Sequence, residues 1–311
     1  MGDRLKGKVA IVTGAGRGMG RAEAIALAAE GANVVVNDIG GDVSGKGSDQ
    51  SPADDVVDEI KAAGGDAIAN YGNVTSVADG EAMVQQAVDH FGGLDIVVNN
   101  AGTLRNKVIY EMSEEEWDDV IAVHLKGHFT VTRAAAKIFK QQGSGRIVNT
   151  ASESGIGGFP SSNYAAAKEG ITGLTRALAL DLGPCGVTVN AIRPRANTRM
   201  AEVVDLKGTL DDATTGAMVL PEFMQDILQV IAARPESFIP EFVAPLVVFL
   251  CTDAASNING RDFIVGAGEI SLVSLPAKER SIFSAGMWTQ DQLEQQFPQT
   301  LGAGLKNPYP K

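Results

Sequence analysis

Residues 9–20 read Val9-Ala10-Ile11-Val12-Thr13-Gly14-Ala15-Gly16-Arg17-Gly18-Met19-Gly20, and an alanine-rich run from Arg21 to Glu30 follows, closed by Gly31. The continuous apolar run at 9–12 suits a strand buried on both faces. Arg21 to Glu30, with Ile25 and Leu27, predicts a strong helix that Gly31 ends. Between the two, glycines let the chain turn sharply and approach an anion closely, while the helix N-terminus offers unpaired N–H groups. The spacing is T-G-x-x-x-G-x-G; the commoner G-x-G-x-x-G fits no frame. Its place between the first strand and the first helix favours a pyrophosphate cradle over an ordinary glycine turn.

Working outward, strand and helix signals alternate. Val34-Val35-Val36 is the next strand, and Ser51-Pro52 opens a helix through Val56, Val57 and Ile60, with proline in the first turn. Asp66 to Tyr71 reads as a strand, Ser76 to Phe91 as a helix and Leu94 to Asn99 as a strand. Ser113 and Glu116 form a capping-box signature ahead of a helix holding Trp117, Val120 and Ile121. Thr130 to Lys140 is helical, Arg146 to Thr150 a strand, Tyr164 to Leu182 a helix, Thr188 to Ile192 a strand, and Phe263 to Val265 the last strand. Repeated strand–helix–strand units pair in parallel through right-handed crossovers, so the fold class is α/β, a doubly wound parallel sheet. Ligands in such sheets bind beyond the carboxyl ends of the strands.

Three stretches break the rhythm. Gly40 to Gln50 is a polar, glycine-rich loop. Ala196 to Ser237 carries helix signals with Gly208 and Gly216 but no strand pattern, and it follows a strand end; it reads as a helical lid over substrate. The tail after Gly268 holds Pro276, Pro298, Pro308 and Pro310. The expected organisation is one domain over 1–268, with the lid at about 196–237, and a C-terminal extension over 269–311 lying on the surface or on a partner subunit.

Composition excludes several functions. Lys plus Arg is 26 against 38 Asp plus Glu, a net charge of −12 over 311 residues. With a pI near 4.8 there is no basic face for a nucleic acid. Phe242 to Cys251, the longest apolar stretch, is too short to span a membrane and contains Pro245. Cys185 and Cys251 are too few for a disulfide framework and fit a reducing, cytoplasmic setting as small core residues. No H-E-x-x-H and no Cys/His cluster is present, so no metal site is expected.

Asp38 ends the second strand eighteen positions after Gly20. A carboxylate there accepts from the adenosine 2′-hydroxyl and repels a 2′-phosphate. Arg17, in the glycine turn, is the one cation placed to meet a 2′-phosphate. The reading favours NAD, with NADP the less favoured cofactor.

At these residues the chain resembles the short-chain dehydrogenase/reductase family, which has a Rossmann fold. Asn99-Asn100-Ala101-Gly102 matches the family's N-N-A-G, Tyr164 and Lys168 its Y-x-x-x-K, and Asn190-Ala191-Ile192-Arg193-Pro194 its N-x-I-x-P; Ser152 follows the fifth strand. The match covers roughly residues 5–268, with gaps in the lid. The resemblance implies an alcohol dehydrogenase or ketoreductase. Tyr164 would move the proton of a secondary alcohol, Lys168 would favour its phenolate and hold the nicotinamide ribose, and Ser152 would hold the substrate oxygen. It assigns cofactor contacts to Gly14, Arg17, Gly18, Met19, Gly20, Asp38, Asn73, Val74, Asn100, Ala101, Gly102, Tyr164, Lys168, Pro194, Asn197 and Thr198. It also implies a homotetramer, built through the helices near Thr130 and Tyr164 and the edge by the last strand.

Two departures from the family stand out. Ser152 lies twelve positions before Tyr164, one fewer than usual in the family, which leaves Ser154 as a competitor. Val123-His124-Leu125-Lys126-Gly127 puts His124 where the catalytic tetrad has asparagine. That asparagine acts largely through its backbone carbonyl, so His124 would either preserve the relay or serve only helix packing.

A narrower likeness is visible in Asn37-Asp38-Ile39-Gly40-Gly41-Asp42, His124-Leu125-Lys126-Gly127, Phe242-Val243-Ala244-Pro245-Leu246 and Val265-Gly266-Ala267-Gly268. These resemble the D-3-hydroxyacyl-CoA dehydrogenase unit of peroxisomal multifunctional enzymes and related bacterial hydroxysteroid dehydrogenases. The likeness implies oxidation of a secondary alcohol on a bulky, mostly apolar substrate, a hydroxysteroid or a 3-hydroxyacyl-CoA. The lid acids Glu202, Asp205, Asp211, Asp212, Glu222 and Asp226 would repel CoA phosphates, or else form a solvated helix face. Arg193, Arg195 and Arg199 would offset them, unless Arg195 contacts the cofactor. The competing reading from another class is a non-catalytic dinucleotide sensor or scaffold on the same fold.

Overall fold

β1 (Val9–Thr13) and α1 (Gly18–Ala29) form where the apolar and alanine-rich runs predict them, joined by the glycine turn. The computed structural model describes residues 2–157, 161–199 and 234–306. The strands continue as β2 (Asn33–Asn37), β3 (Asp66–Asn70), β4 (Ile96–Asn99), β5 (Gly145–Thr150), β6 (Val187–Pro194), β7 (Asp262–Gly266) and β8 (Glu269–Leu272). The helices are α2 (Ser51–Ala62), α3 (Val77–Phe91), α4 (Glu114–Ile121), α5 (Gly127–Gln142), α6 (Ser162–Leu182), α7 (Ala244–Cys251) and α8 (Gln290–Gln296).

The described strands make one eight-stranded sheet in the order β3-β2-β1-β4-β5-β6-β7-β8. Every pair from β3 to β7 is parallel; only β7 with β8 is antiparallel. The chain order reverses between β1 and β4, opening a crevice beyond their carboxyl ends where doubly wound sheets bind ligands. One face of the sheet packs against α1, α2 and α7 through Leu27, Val56, Ile60 and Val247. The other face packs against α3 and α5 through Met83, Val131 and Phe139. Each such fully buried aliphatic contributes about 1.5–3 kcal/mol.

The antiparallel β8 is absent from the sequence expectation. It places the expected domain boundary at 268 inside the β7–β8 turn, and the first compact unit runs on to Val273. Its four residues alternate half-buried and exposed, too short a run to read as a strand without its partner. The lid expected over 196–237 lies mostly outside the described residues. In the second unit, from Ser274 onward, Thr289 and Gln292 cap α8 reciprocally, and Arg280 donates to the Thr300 and Ala303 carbonyls at 3.0 and 2.8 Å.

Two features position the site. First, α4 and α5 are one helical rod interrupted by a π-helical turn, Ala122–Lys126, a device that often marks functional positions. The Ser113–Glu116 capping box starts that rod, with both bonds made. Second, a buried polar ladder crosses the sheet to α6. Asn99 Nδ2 donates to Thr132 Oγ1 and Asn149 Oδ1, Asn149 Nδ2 to Thr175 Oγ1, and Thr175 to the Ile171 carbonyl, at 2.8–2.9 Å. Such a ladder docks α6 in one register, because a slip would strand buried amides without partners.

Candidate active site

The residues expected to meet a dinucleotide lie along the carboxyl-terminal edge of the sheet. Gly14 to Arg17 form the β1–α1 turn and Gly18 to Gly20 open α1, Asp38 follows β2, Asn73 and Val74 follow β3, Asn100 to Gly102 follow β4, and Pro194, Asn197 and Thr198 lie at or just after the end of β6. Asn100 Nδ2 holds the turn by donating to the Thr13 and Gly14 carbonyls at 3.0 and 3.1 Å. Thr13 Oγ1 in return accepts from the Asn100 and Ala101 N–H groups. Gly20 has no room for a side chain, since a Cβ would lie 2.3 Å from the Gly14 carbonyl oxygen.

The α1 N-terminus fits an anion. Arg17 precedes it without a side-chain cap and its first turn has no acid, whereas Ser76 and Ser113 cap α3 and α4. Its N–H groups are therefore left to a phosphate. Asp38 stands beside the turn, accepting from Gly16 N–H at 2.9 Å and from Gly40 N–H at 2.7 Å. Arg17 lies within electrostatic reach of Asp49 in the following loop.

Ser152, Tyr164 and Lys168 come together at the ends of β5 and α6. Tyr164 shares a side-chain hydrogen bond with Ser152, so Ser152, not Ser154, faces the phenol. Ser154 instead donates its backbone N–H to Ser152 Oγ at 3.1 Å. Lys168 lies one helical turn from Tyr164, its Nζ 5.5 Å from the ring centroid. That ammonium donates to the Thr150 carbonyl at 2.6 Å. Burial pushes the Tyr164 phenol up to about 12, against the Ser152 hydrogen bond, and pulls the Lys168 ammonium down to about 7, against Glu23. Desolvation thus outweighs the simple cation–phenol attraction in the ligand-free pocket.

His124 is buried in the π-helical turn. Its ring meets Tyr164 edge-on, centroids 5.1 Å apart, and its Nε2 lies 2.7 Å from the Thr103 carbonyl, leaving Nδ1 unpartnered. The same ring explains the glycine of N-N-A-G: a Cβ on Gly102 would sit 2.6 Å from His124 Cε1. One helical turn on, His128 is buried too, its ring beside the backbone of His124 and Asn99 and its Nε2 without a hydrogen-bond partner. The sequence reading did not single out His128; its spacing of four from His124 was the available signal. Burial holds both imidazoles neutral, His128 down to about 3.

The two arginines after β6 begins are ion-paired inside the protein rather than offered to a ligand. Arg193 donates to Asp262 Oδ2 and the Ser152 carbonyl at 2.6 Å and to Glu169 at 3.0 Å. Arg195 grips Glu153 through both carboxylate oxygens at 2.7 and 2.8 Å, and reaches Glu269 of β8 at 2.7 Å. Together they clamp the Ser152–Glu153 step. This corrects the expectation that Arg193 and Arg195 offset phosphates or touch the cofactor, and it also gives β8 its anchor. Arg199 remains exposed. Among the described residues no cluster of metal-ligating side chains occurs and no helix is long and apolar enough to cross a membrane.

The glycine turn, the uncapped α1 N-terminus and the Ser152, Tyr164, Lys168 cluster are the arrangement expected of a dinucleotide-linked oxidoreductase. The family model described as short chain dehydrogenase matches residues 8–206. The chain is 46% identical over 268 residues to peroxisomal multifunctional enzyme type 2 of Mus musculus, covering 86% of this chain but only 32% of that protein. It is 43% identical over 303 residues to a hydroxyacyl-CoA dehydrogenase of Mycobacterium tuberculosis, 93% of this chain and 86% of that one. The crystal structure of a short chain dehydrogenase from Mycobacterium avium superposes with a TM-score of 0.79 at 41% identity, over 98% of both chains. The chain belongs to the short-chain dehydrogenase/reductase family and is an oxidoreductase. The cofactor of that family is a nicotinamide dinucleotide, NAD or NADP.

The buried histidines carry a pH signature. His128 binds its proton far more weakly folded, near pH 3, than unfolded, near 6.5. Its contribution is therefore complete above about pH 6.5 and is lost as pH falls from there toward 3. Thermal melts should show His128→Gln flattening the loss of stability between pH 7 and 5; an unchanged slope contradicts this.

Proposed function

We propose that the protein is an NAD-dependent dehydrogenase that interconverts the 3-hydroxyl and 3-keto forms of a 3-hydroxyacyl-CoA thioester with a bulky apolar acyl part. The observation that carries the chemistry is the Ser152–Tyr164 hydrogen bond with the Lys168 ammonium 5.5 Å from the Tyr164 ring centroid. Ser152 holds the substrate oxygen, and Tyr164 exchanges a proton with it. Burial keeps the Tyr164 phenol protonated at neutral pH, the form that gives a proton to the substrate oxygen in the reduction direction. Oxidation needs added positive charge near the phenol, and Lys168 is the chain's own source. The bound dinucleotide would supply the hydride acceptor and, when oxidised, a second positive charge. Gly14, Gly18, Met19 and Gly20 would take its pyrophosphate, Asn73, Val74, Asn100 and Ala101 would line its adenosine and ribose path, and Pro194, Asn197 and Thr198 would flank the nicotinamide end. His124 is given a positioning role, holding the edge of Tyr164.

NAD is favoured because a 2′-phosphate would meet the carboxylates of Asp38 and Asp49, while Arg17 is already in electrostatic reach of Asp49. The acyl-CoA reading draws on the relatives, which are named as hydroxyacyl-CoA and multifunctional peroxisomal enzymes. The sensor reading is not favoured, since the relatives are named as enzymes. A homotetramer is supported by exposed apolar side chains on the two expected helices, Phe129 on α5 and Leu180 on α6, and by Ile270 and Leu272 on the edge strand β8, which the sequence did not foresee. A cytoplasmic setting accords with Cys185 and Cys251 being free thiols, and cell fractionation checks it.

Absorbance at the reduced-nicotinamide band, with NAD and NADP in parallel, tests the reading. We expect signal with NAD and a branched or ring-bearing 3-hydroxyacyl-CoA, at least tenfold above NADP. Signal only with a free hydroxysteroid overturns the thioester assignment, and preference for NADP overturns the role of Asp38. Light scattering should give the mass of four chains; a mass of 32.4 kDa contradicts the tetramer.

A further inference from the structure

Asn163 immediately precedes Tyr164, at the second position of α6, and its side chain is completely buried. Its Nδ2 donates to the carbonyls of Arg105 at 3.0 Å and Glu116 at 2.9 Å, and its Oδ1 accepts from the Tyr164 N–H at 2.7 Å. One amide therefore ties the first turn of α6 to the segment after β4 and to the first turn of α4.

Other helices of the chain start differently. α3, α4 and α8 each begin on a serine or threonine whose own oxygen accepts from the N–H of the third helical residue. α6 has a serine in that place too, Ser161, and the third residue is Tyr164, but the hydroxyl makes no such bond. It donates instead to Asn106 Oδ1 at 2.8 Å. The Tyr164 N–H that it leaves is the one Asn163 takes. A serine cap would complete this turn from within the helix; here Ser161 and Asn163 both reach out to residues 105–106.

That segment is itself fixed. Thr103 meets His124 Nε2 through its backbone, and Thr103 Oγ1 and the Leu104 N–H both donate to the Val43 carbonyl, at 2.8 and 3.1 Å. The Arg105 side chain pairs with Glu115 and Asp119 of α4. Residues 103–106 thus hold Tyr164 from two directions, through His124 at the edge of its ring and through Asn163 at its backbone.

We propose that Asn163 is a positioning residue for the reaction, fixing the backbone of Tyr164 on the 103–106 segment so that the phenol stays in reach of Ser152. Asn163 acts through Tyr164, and the proposal rests on the dehydrogenase reading only for its catalytic consequence. Without the amide, the Tyr164 N–H and the Arg105 carbonyl lose a buried partner, and the first turn of α6 is released from its support. A reacting group displaced by about an ångström loses much of its efficiency, so the effect falls on turnover and not on cofactor binding.

A double-mutant cycle separates positioning from plain structural support. Asn163→Ala should lower kcat about ten- to hundredfold, with KM for NAD within about twofold of the parent. In a Tyr164→Phe background no phenol is left to position, and the same change should alter the residual kcat by less than about twofold. An equal loss in both backgrounds, or a kcat of Asn163→Ala within about twofold of the parent, overturns the proposal. Asn163→Ser runs the same cycle if the alanine variant folds poorly. Hydrogen–deuterium exchange of the cofactor-free protein needs no turnover. Asn163→Ala should speed exchange about tenfold in the first turn of α6 and leave protection from Lys168 onward unchanged. An unmoved first turn, or a rise along the whole of α6, overturns the proposal as well. Absence of activity in the parent protein would fault the dehydrogenase reading and leave the exchange result to decide whether Asn163 holds Tyr164.

Discussion

A lysine ammonium anchored on one backbone carbonyl, Lys168 Nζ to Thr150, joins α6 to the central sheet beside the proposed catalytic tyrosine. An ammonium is tolerable in the interior only if its donors are met and its charge is balanced. Much of the surrounding structure serves that requirement. The ladder from Thr132 through Asn99 and Asn149 to Thr175 sets α6 in register on β4 and β5, so that Lys168 meets Thr150 and Tyr164 meets Ser152. If α6 turned by one residue, the ladder and the lysine bond would both fail. Fold and proton chemistry therefore depend on the same docking.

Tyr164 is held from three sides by different kinds of interaction. Ser152 bonds its hydroxyl, the Lys168 ammonium lies near its ring, and His124 presses its edge. Ser152 is in turn fixed through its carbonyl by Arg193, and its neighbour Glu153 by Arg195. Arg193 and Arg195 alternate with Pro194 at the end of β6, and their bidentate geometry orients a loop that a lysine could not hold as rigidly. β8 completes this arrangement, because Glu269 takes the remaining edge of Arg195. The edge strand is thus tied to the active-site loop.

The order of β1 to β7 and the helices that start the site were legible in the sequence because each has a local cause. These are the apolar run at 9–12, the glycine turn, the Ser113–Glu116 capping box and the turn spacing of Tyr164 and Lys168. What escaped depends on partners distant in the chain. The strand Glu269–Leu272 exists only against β7. Arg193 and Arg195 look like ligand contacts until Asp262, Glu153 and Glu269 arrive from elsewhere. His128 and Glu23 read as ordinary helix residues, since burial of a polar group inside an otherwise conventional helix leaves no mark on its sequence. The π-helical turn was likewise invisible, and it is what swings His124 against Gly102 and Tyr164.

The central claim is that the proton of the substrate hydroxyl passes through Tyr164. Its most direct test compares dinucleotide affinity, by fluorescence of the bound reduced form, with turnover in Tyr164→Phe. Phenylalanine keeps the ring that meets His124 and Lys168 and removes only the hydroxyl. The account predicts cofactor affinity within about twofold of the parent and turnover lowered by about a hundredfold to ten-thousandfold, the span that a positioned acid–base group contributes. Turnover within a few-fold of the parent would contradict it.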